Sequence, residues 1–175
     1  YRPAGGGLAQ PEMIIGLRSP LSIDRKTGNA LYYRVTDLNA FMPTNGGWSG
    51  VATGVTGPHT LDLGGQGIRS IEWCPGLGTS ATGRYLIIGG PANGGPMEKE
   101  IVGEKFSLYG WNGTNAPVKL IDDLKPYTTR PEGVALITVG GASRVLFVED
   151  RFQATGYGAR NAIHWPLSIW GSVSF

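Results

Sequence analysis

The chain has 175 residues, of which 41% are hydrophobic and 16% charged, and its formal net charge is +2. This length suits one domain with its own core, and the composition is that of a globular protein, not a disordered one. No run of Lys or Arg exceeds two residues, which argues against binding to nucleic acid or an anionic membrane. No apolar run approaches the roughly 18–20 residues of a membrane-spanning helix.

Short apolar runs separated by Gly, Pro, Asn and Asp indicate an all-β chain. The runs Tyr-Leu-Ile-Ile (85–88) and Val-Leu-Phe-Val (145–148) are predicted to be buried on both faces, whereas residues 106–111 alternate more and are predicted to lie nearer the outside. Strands are predicted near residues 13–18, 30–36, 59–63, 68–73, 85–88, 106–111, 118–121, 133–139, 144–148 and 163–169.

The predicted strands recur in a repeated order. Stretches led by Gly7, Gly67 and Gly133 are each followed by an apolar quartet, at intervals of about 60 to 66 residues. Two further strands follow in the first two units, so that each unit would contain a lead strand, an apolar strand, an alternating strand and an outer strand. Four antiparallel strands repeated in this way are typical of a β-propeller blade. The units span about residues 5–63, 67–121 and 130–175.

About two and a half four-stranded blades do not close a ring, because propellers contain roughly four to eight blades. An open ring would also leave exposed sheet edges. We therefore predict an all-β, β-propeller-like single domain over residues 1–175 that is part of a larger propeller. The remaining blades would come from the same precursor or from another chain. A sandwich of two sheets is the alternative fold.

Five motifs in order resemble a bacterial family known as domain of unknown function 3616. They are "GLRSPL", "LDLGGQGIRSIEW", "YLIIGGPANG", "FSLYGWNG" and "RPEGVALI" followed by "RVLFVEDR", and the resemblance runs from about residue 5 to residue 151. It implies a propeller-like fold and further blades upstream of Tyr1, which would make this chain a C-terminal half. The family has no established activity. A periplasmic or secreted location is preferred, although the compartment stays open.

Two stretches share the pattern Gly-x-Arg-Ser, around Arg18 and Arg69. The repeat places Arg18 at the end of a second strand and Arg69 in a first strand, so the two positions are not equivalent. Those strands should be neighbours across the interface between two blades, near the central channel. We expect the two arginines to lie close to each other or to a shared carboxylate, with Glu132 the best candidate.

Three arginines and two carboxylates form the candidate ligand site, because each lies at a strand end beside a tight turn. Around a channel they could hold a small polar or anionic ligand through bidentate hydrogen bonds. The alternative is that Arg and Glu from neighbouring blades pair with each other and fix the packing, since buried arginines need a partner. The candidate residues are Arg18, Arg69, Arg130, Glu132 and Asp150.

Metal ligands are a further hypothesis, because Asp122–Asp123 and Glu149–Asp150 offer carboxylate oxygens to a divalent cation such as calcium. No calcium-loop spacing is present, and solvated loop acids are the alternative. No other cofactor is evident. The single cysteine, Cys74, follows a predicted inner strand and is expected to be a buried, inert thiol.

Two function classes remain open. The first is a binding or scaffold propeller whose channel mouth holds a small polar or anionic ligand or a partner protein. The second is a metal-assisted hydrolase with Glu132, Asp150 and an arginine at its site. No catalytic motif such as G-x-S-x-G or H-E-x-x-H is present. We therefore favour binding over catalysis.

Overall fold

The computed structural model describes residues 4, 11–23, 28–37, 54–75, 77, 84–92, 105–125 and 131–149. Over these ranges the protein is all-β: nine strands form three antiparallel sheets, and no helix is found. Within the same ranges there is accordingly no helix that is long and apolar enough to cross a membrane.

Each sheet follows the chain order of its strands. The first sheet contains β1 (Met13–Gly16), β2 (Ala30–Val35) and β3 (Val55–Leu61). The second contains β4 (Gly67–Cys74), β5 (Arg84–Gly90), β6 (Ser107–Trp111) and β7 (Val118–Ile121). The third contains β8 (Pro131–Val139) and β9 (Ala142–Glu149).

The second sheet confirms the predicted unit of four consecutive antiparallel strands. The first nine strands predicted from the sequence are all found. β7 has the predicted ends, and the ends of the others are shifted. The tenth, at 163–169, and the lead stretch at 6–9 lie outside the described residues. β3 begins at Val55, upstream of the predicted start at residue 59, so Gly57 and Pro58 lie inside the strand. Proline is tolerated there because β3 is an edge strand of its sheet.

The second sheet lies between the other two, and alternate residues of its strands enter two separate cores. Tyr85, Ile87 and Trp111 pack towards the first sheet, whereas Leu86 and Ile88 pack towards the third. Because successive side chains of a strand point to opposite faces, a strand covered on both faces needs apolar residues at every position. The prediction that the run at 85–88 is buried on both faces is therefore confirmed.

Two predictions of burial were wrong, and the position of each strand explains why. β6, predicted to lie nearer the outside, is buried along its whole length because it lies between β5 and β7 and has a sheet on either face. Within residues 143–148 of β9, Val145 and Phe147 are the buried residues, and they pack against the second sheet. Leu146 and Val148, on the other face of β9, are half-buried.

Candidate functional site

The starts of β4 and β8 lie side by side and define one end of the sheet stack. Arg69 of β4 contacts Glu132 of β8. One residue further along β4 and two residues further along β8, the Ser70 hydroxyl accepts a hydrogen bond from Val134 N, at 3.2 Å. The contacts advance in the same direction along both strands, so β4 and β8 run parallel to each other. We call this end the rim, formed by residues 17–18, 67–70 and 131–134.

The segment that follows β1 reaches the same rim. The Leu17 carbonyl accepts a hydrogen bond from Ile68 N at 3.0 Å. A Cβ added to Gly67 would lie 2.0 Å from the Arg18 carbonyl oxygen, so only glycine permits this approach. The sequence prediction that the end of the second strand of one unit neighbours the first strand of the next is confirmed.

Arg69 is the extra residue where the register between β4 and β5 shifts, between Ile68 and Ser70. Its Nη1 donates to Glu132 Oε1 at 2.7 Å, and its Nη2 donates to the Pro91 carbonyl at 2.9 Å. The guanidinium carbon also lies 5.4 Å from the ring centre of Phe106. The predicted pairing of Arg69 with Glu132 is confirmed.

The two members of this pair differ in burial. The Arg69 side chain is 6% exposed, whereas that of Glu132 is 37% exposed. Arg69 therefore directs its donors into the protein, and Glu132 presents part of its carboxylate to solvent. This geometry agrees with the alternative in which Arg and Glu of neighbouring units fix the packing, and it leaves Glu132 accessible at the rim.

Arg18 is different, because its side chain makes no hydrogen bond or ion pair with any other part of the chain that the structure describes. Its Nε is buried and has no hydrogen-bond partner. The expectation that Glu132 is shared by Arg18 and Arg69 was wrong for Arg18: the Glu132 carboxylate pairs with Arg69. Arg18 and Glu132 thus lie on the same rim without an ion pair between them.

Two candidate residues, Arg130 and Asp150, lie outside the described residues. In the sequence, Arg130 directly precedes Pro131 and Asp150 directly follows Glu149, and these two neighbours face each other across β8 and β9. The assignment of Arg130 and Asp150 to the ligand site stays a prediction.

A second polar centre lies between the first two sheets, and no sequence pattern indicated it. Glu12, which is 3% exposed, accepts hydrogen bonds from Tyr85 Oη at 2.7 Å and from Arg34 Nη1 at 2.8 Å. Arg34 also donates to the Gly113 carbonyl, and its guanidinium lies 5.5 Å from the ring centre of Trp111. This centre joins both sheets and is internally satisfied, which indicates a structural role.

The charge state of Arg34 is well fixed in that centre. Burial acts to lower the pKa of Arg34, but hydrogen bonding to Tyr32 and the charge of Glu12 outweigh it, so the pKa is raised above its usual value. The guanidinium is therefore always protonated. Tyr85, which donates a hydrogen bond to the second carboxylate oxygen of Glu12, lies 73 residues away in the sequence. No local sequence pattern could reveal this contact.

The acids at 122–123 are surface groups. Asp122 accepts hydrogen bonds from Lys105 and Lys119, both at 2.8 Å, and these bonds lower the pKa of its carboxyl to about 2. Asp123 accepts a hydrogen bond from Lys125 N at 2.9 Å. These contacts agree with solvated loop acids.

No metal site is evident in the ranges that the structure describes, where no group of three or more His, Cys, Asp or Glu side chains could hold an ion. The second acidic pair, at 149–150, includes Asp150, which is not among the described residues. The calcium hypothesis for that pair therefore stays a prediction.

Cys74 is buried where β4 faces the third sheet, and the predicted burial is confirmed. Desolvation, with a smaller contribution from the charge of Glu72, raises the pKa of its thiol to about 11. Since the thiolate is the reactive form, this thiol is unreactive near neutral pH.

The chain was compared with known proteins, and no family model, curated protein or solved structure matches it. The resemblance to the domain of unknown function 3616 family stays a prediction. The fold and site define the class of protein as all-β, with three antiparallel sheets and a polar rim where two of them meet.

Proposed function

We propose that the chain is a propeller-type binding domain. Three features of the described residues support this fold: a meander of four antiparallel strands, sheets stacked face to face, and contacts that advance in the same direction along β4 and β8. In a propeller, the first strands of successive blades run in the same direction around a central channel. The rim would then be one mouth of that channel.

The rim is the proposed binding site, for a small polar or anionic ligand or a partner protein. The observation that carries the proposal is the pair Arg69–Glu132, in which a buried arginine fixes a carboxylate that stays partly exposed. A carboxylate held in one orientation is a preorganised hydrogen-bond acceptor, and preorganisation lowers the free-energy cost of binding. Arg18 supplies a positive charge on the same rim.

Binding is favoured over hydrolysis by the way Glu132 is held. Its carboxylate accepts a charge-assisted hydrogen bond from the buried Arg69, which fixes its orientation. A carboxylate fixed in this way suits recognition, and no catalytic motif such as G-x-S-x-G or H-E-x-x-H is present in the sequence.

We also propose that further blades, from the same precursor or from another chain, complete the ring. The middle sheet supports this proposal, because both of its faces are covered by neighbouring sheets. Native mass spectrometry of the protein as it is isolated from its source would test this. A stable, monodisperse species of 18.6 kDa would contradict the proposal.

The binding site can be tested by a thermal-shift screen with sugars, sugar acids, amino acids and dicarboxylates. A ligand of the rim should raise the Tm of the wild-type chain but not that of Glu132→Gln. Asp122→Asn is the matched control, since it neutralises another carboxylate that lies on the surface. A ligand that stabilises all three proteins equally binds elsewhere, and that result would contradict the proposed site.

A further inference from the structure

The arginines of the rim and of the polar centre around Glu12 differ in how their hydrogen-bond donors are used. Arg34 donates to Glu12 and to the Gly113 carbonyl, and Arg69 donates to Glu132 and to the Pro91 carbonyl. Arg18 has no such partner for either Nη within the described residues, and its Nε is buried without a hydrogen bond. The Nε atoms of Arg69 and Arg144 share that state, so it is the Nη groups that distinguish Arg18 from Arg69.

A buried donor without a partner is costly. Removing an N–H group from water without replacing its hydrogen bond costs about 1–3 kcal/mol, and more for a charged group. Because guanidinium cannot lose its proton in a protein, Arg18 cannot escape this cost by becoming neutral. Groups of this kind in folded proteins usually have an explanation such as a bound water or ion.

The backbone of Arg18 is held firmly in place. The Leu17 carbonyl is hydrogen-bonded to Ile68 N, and the Arg18 carbonyl lies against Gly67, where a side chain would not fit. Folding has therefore already ordered this backbone segment, and ligand binding does not carry the entropic cost of ordering it.

We infer that Arg18 is the arginine of the rim that contacts a ligand, and that it binds an oxyanion, either a carboxylate or a phosphate. Arg69 is then a positioning residue, which orients Glu132 and does not itself touch the ligand. This inference rests on the proposed function, because it assigns a ligand class to the same rim.

The chemistry follows from the shape of guanidinium. Its fork of N–H groups, Nε included, matches two oxygens of a carboxylate or a phosphate, and each such hydrogen bond is charge-assisted. An oxyanion that reaches Nε and one Nη would satisfy the buried donor. Lysine would keep the charge but could not offer this pair of donors.

The test uses the resonances of the arginine Nε–H groups in nitrogen–proton NMR spectra of the full chain. Sodium acetate and inorganic phosphate are titrated separately, with sodium chloride at matched ionic strength as the control. The Arg18 resonance is assigned by its absence in Arg18→Lys. We expect it to shift and saturate with at least one oxyanion, while the Arg34 and Arg69 resonances stay in place.

The two oxyanions distinguish the source of the ligand. Saturation with acetate alone identifies a carboxylate, saturation with phosphate alone identifies a phosphate, and saturation with both supports a general oxyanion site. If the chemical shift of the Arg18 resonance does not change with either ion, or changes equally with chloride, the inference is overturned. If a rim ligand still depends on Glu132 in that case, the proposed function stands and only the role of Arg18 fails.

Discussion

Arg69 Nη1 lies 2.7 Å from Glu132 Oε1, and this ion pair joins β4 of the second sheet to β8 of the third. The cation is the buried member, and the carboxylate is partly open to solvent. The two residues therefore depend on the pair to different extents. Without Arg69, Glu132 can be hydrated, but without Glu132 the buried guanidinium of Arg69 keeps its charge and loses its counter-ion.

The first prediction follows from this asymmetry. Glu132→Gln should lower the free energy of unfolding more than Arg69→Met does, because it leaves an uncompensated buried charge. Since Arg69 retains its bond to the Pro91 carbonyl, we expect losses of about 1–3 kcal/mol, the range for an unsatisfied buried group. Urea denaturation of both variants measures the difference.

The double variant provides the control for this prediction. Removing both partners should cost less than the sum of the two single losses, because neither charge is then left alone. The exposed pair Lys105–Asp122 offers a second double-mutant cycle for comparison. Its coupling energy should be close to zero. If the coupling energy between Arg69 and Glu132 is as small as that between Lys105 and Asp122, the pair does not hold the two sheets together.

The sequence predicted this pair because it follows from the repeat. Equivalent units place their first strands next to each other, and Arg69 and Glu132 lie near the starts of two such strands. The sequence did not predict that Arg69 would be enclosed while the Glu132 carboxylate stays partly exposed. That depends on Phe106 and Pro91, which enclose Arg69 from outside its own strand.

The sequence could not predict the centre around Glu12, because its contacts join sheets through residues far apart in the chain. Tyr85 belongs to an apolar run and is interpreted as a core residue, which hides the role of its hydroxyl. The burial of β6 was missed for a similar reason: the alternation of residues 106–111 is local, whereas the cover on both faces comes from other sheets.

The second prediction concerns that centre. Tyr85→Phe should destabilise the protein by about 1–3 kcal/mol, because Glu12 loses a hydrogen bond in a site from which water is excluded. Tyr33→Phe is the control, since Tyr33 is half-buried on β2. Thermal or urea unfolding measures both. Equal effects of the two substitutions would mean that the Tyr85 hydroxyl does not stabilise Glu12.

The third prediction tests the close approach at the rim. Gly67→Ala should destabilise the fold by about 1–3 kcal/mol, because the new Cβ would overlap the backbone of Arg18. Gly110→Ala in β6 is the control, since the atoms nearest to its Cβ would be side-chain atoms of Leu120, at 3.4 Å or more. If Gly67→Ala is as stable as Gly110→Ala, the segment at Arg18 is not held against β4.

The fourth prediction concerns Cys74 and alkaline pH. The folded chain holds the thiol proton until a pH of about 11, whereas an unfolded chain releases it near the usual thiol pKa of about 8.5. Between these values the folded state binds more protons than the unfolded state, so the free energy of unfolding falls as the pH rises. Cys74→Ala should remove this contribution, and its stability should fall less steeply than that of the wild type over the same range.

Urea denaturation at several pH values measures the two slopes, and a thiol reagent should label the native wild type far more slowly than the unfolded chain. Parallel slopes together with equal labelling rates would place Cys74 at the surface and would contradict its burial between β4 and the third sheet.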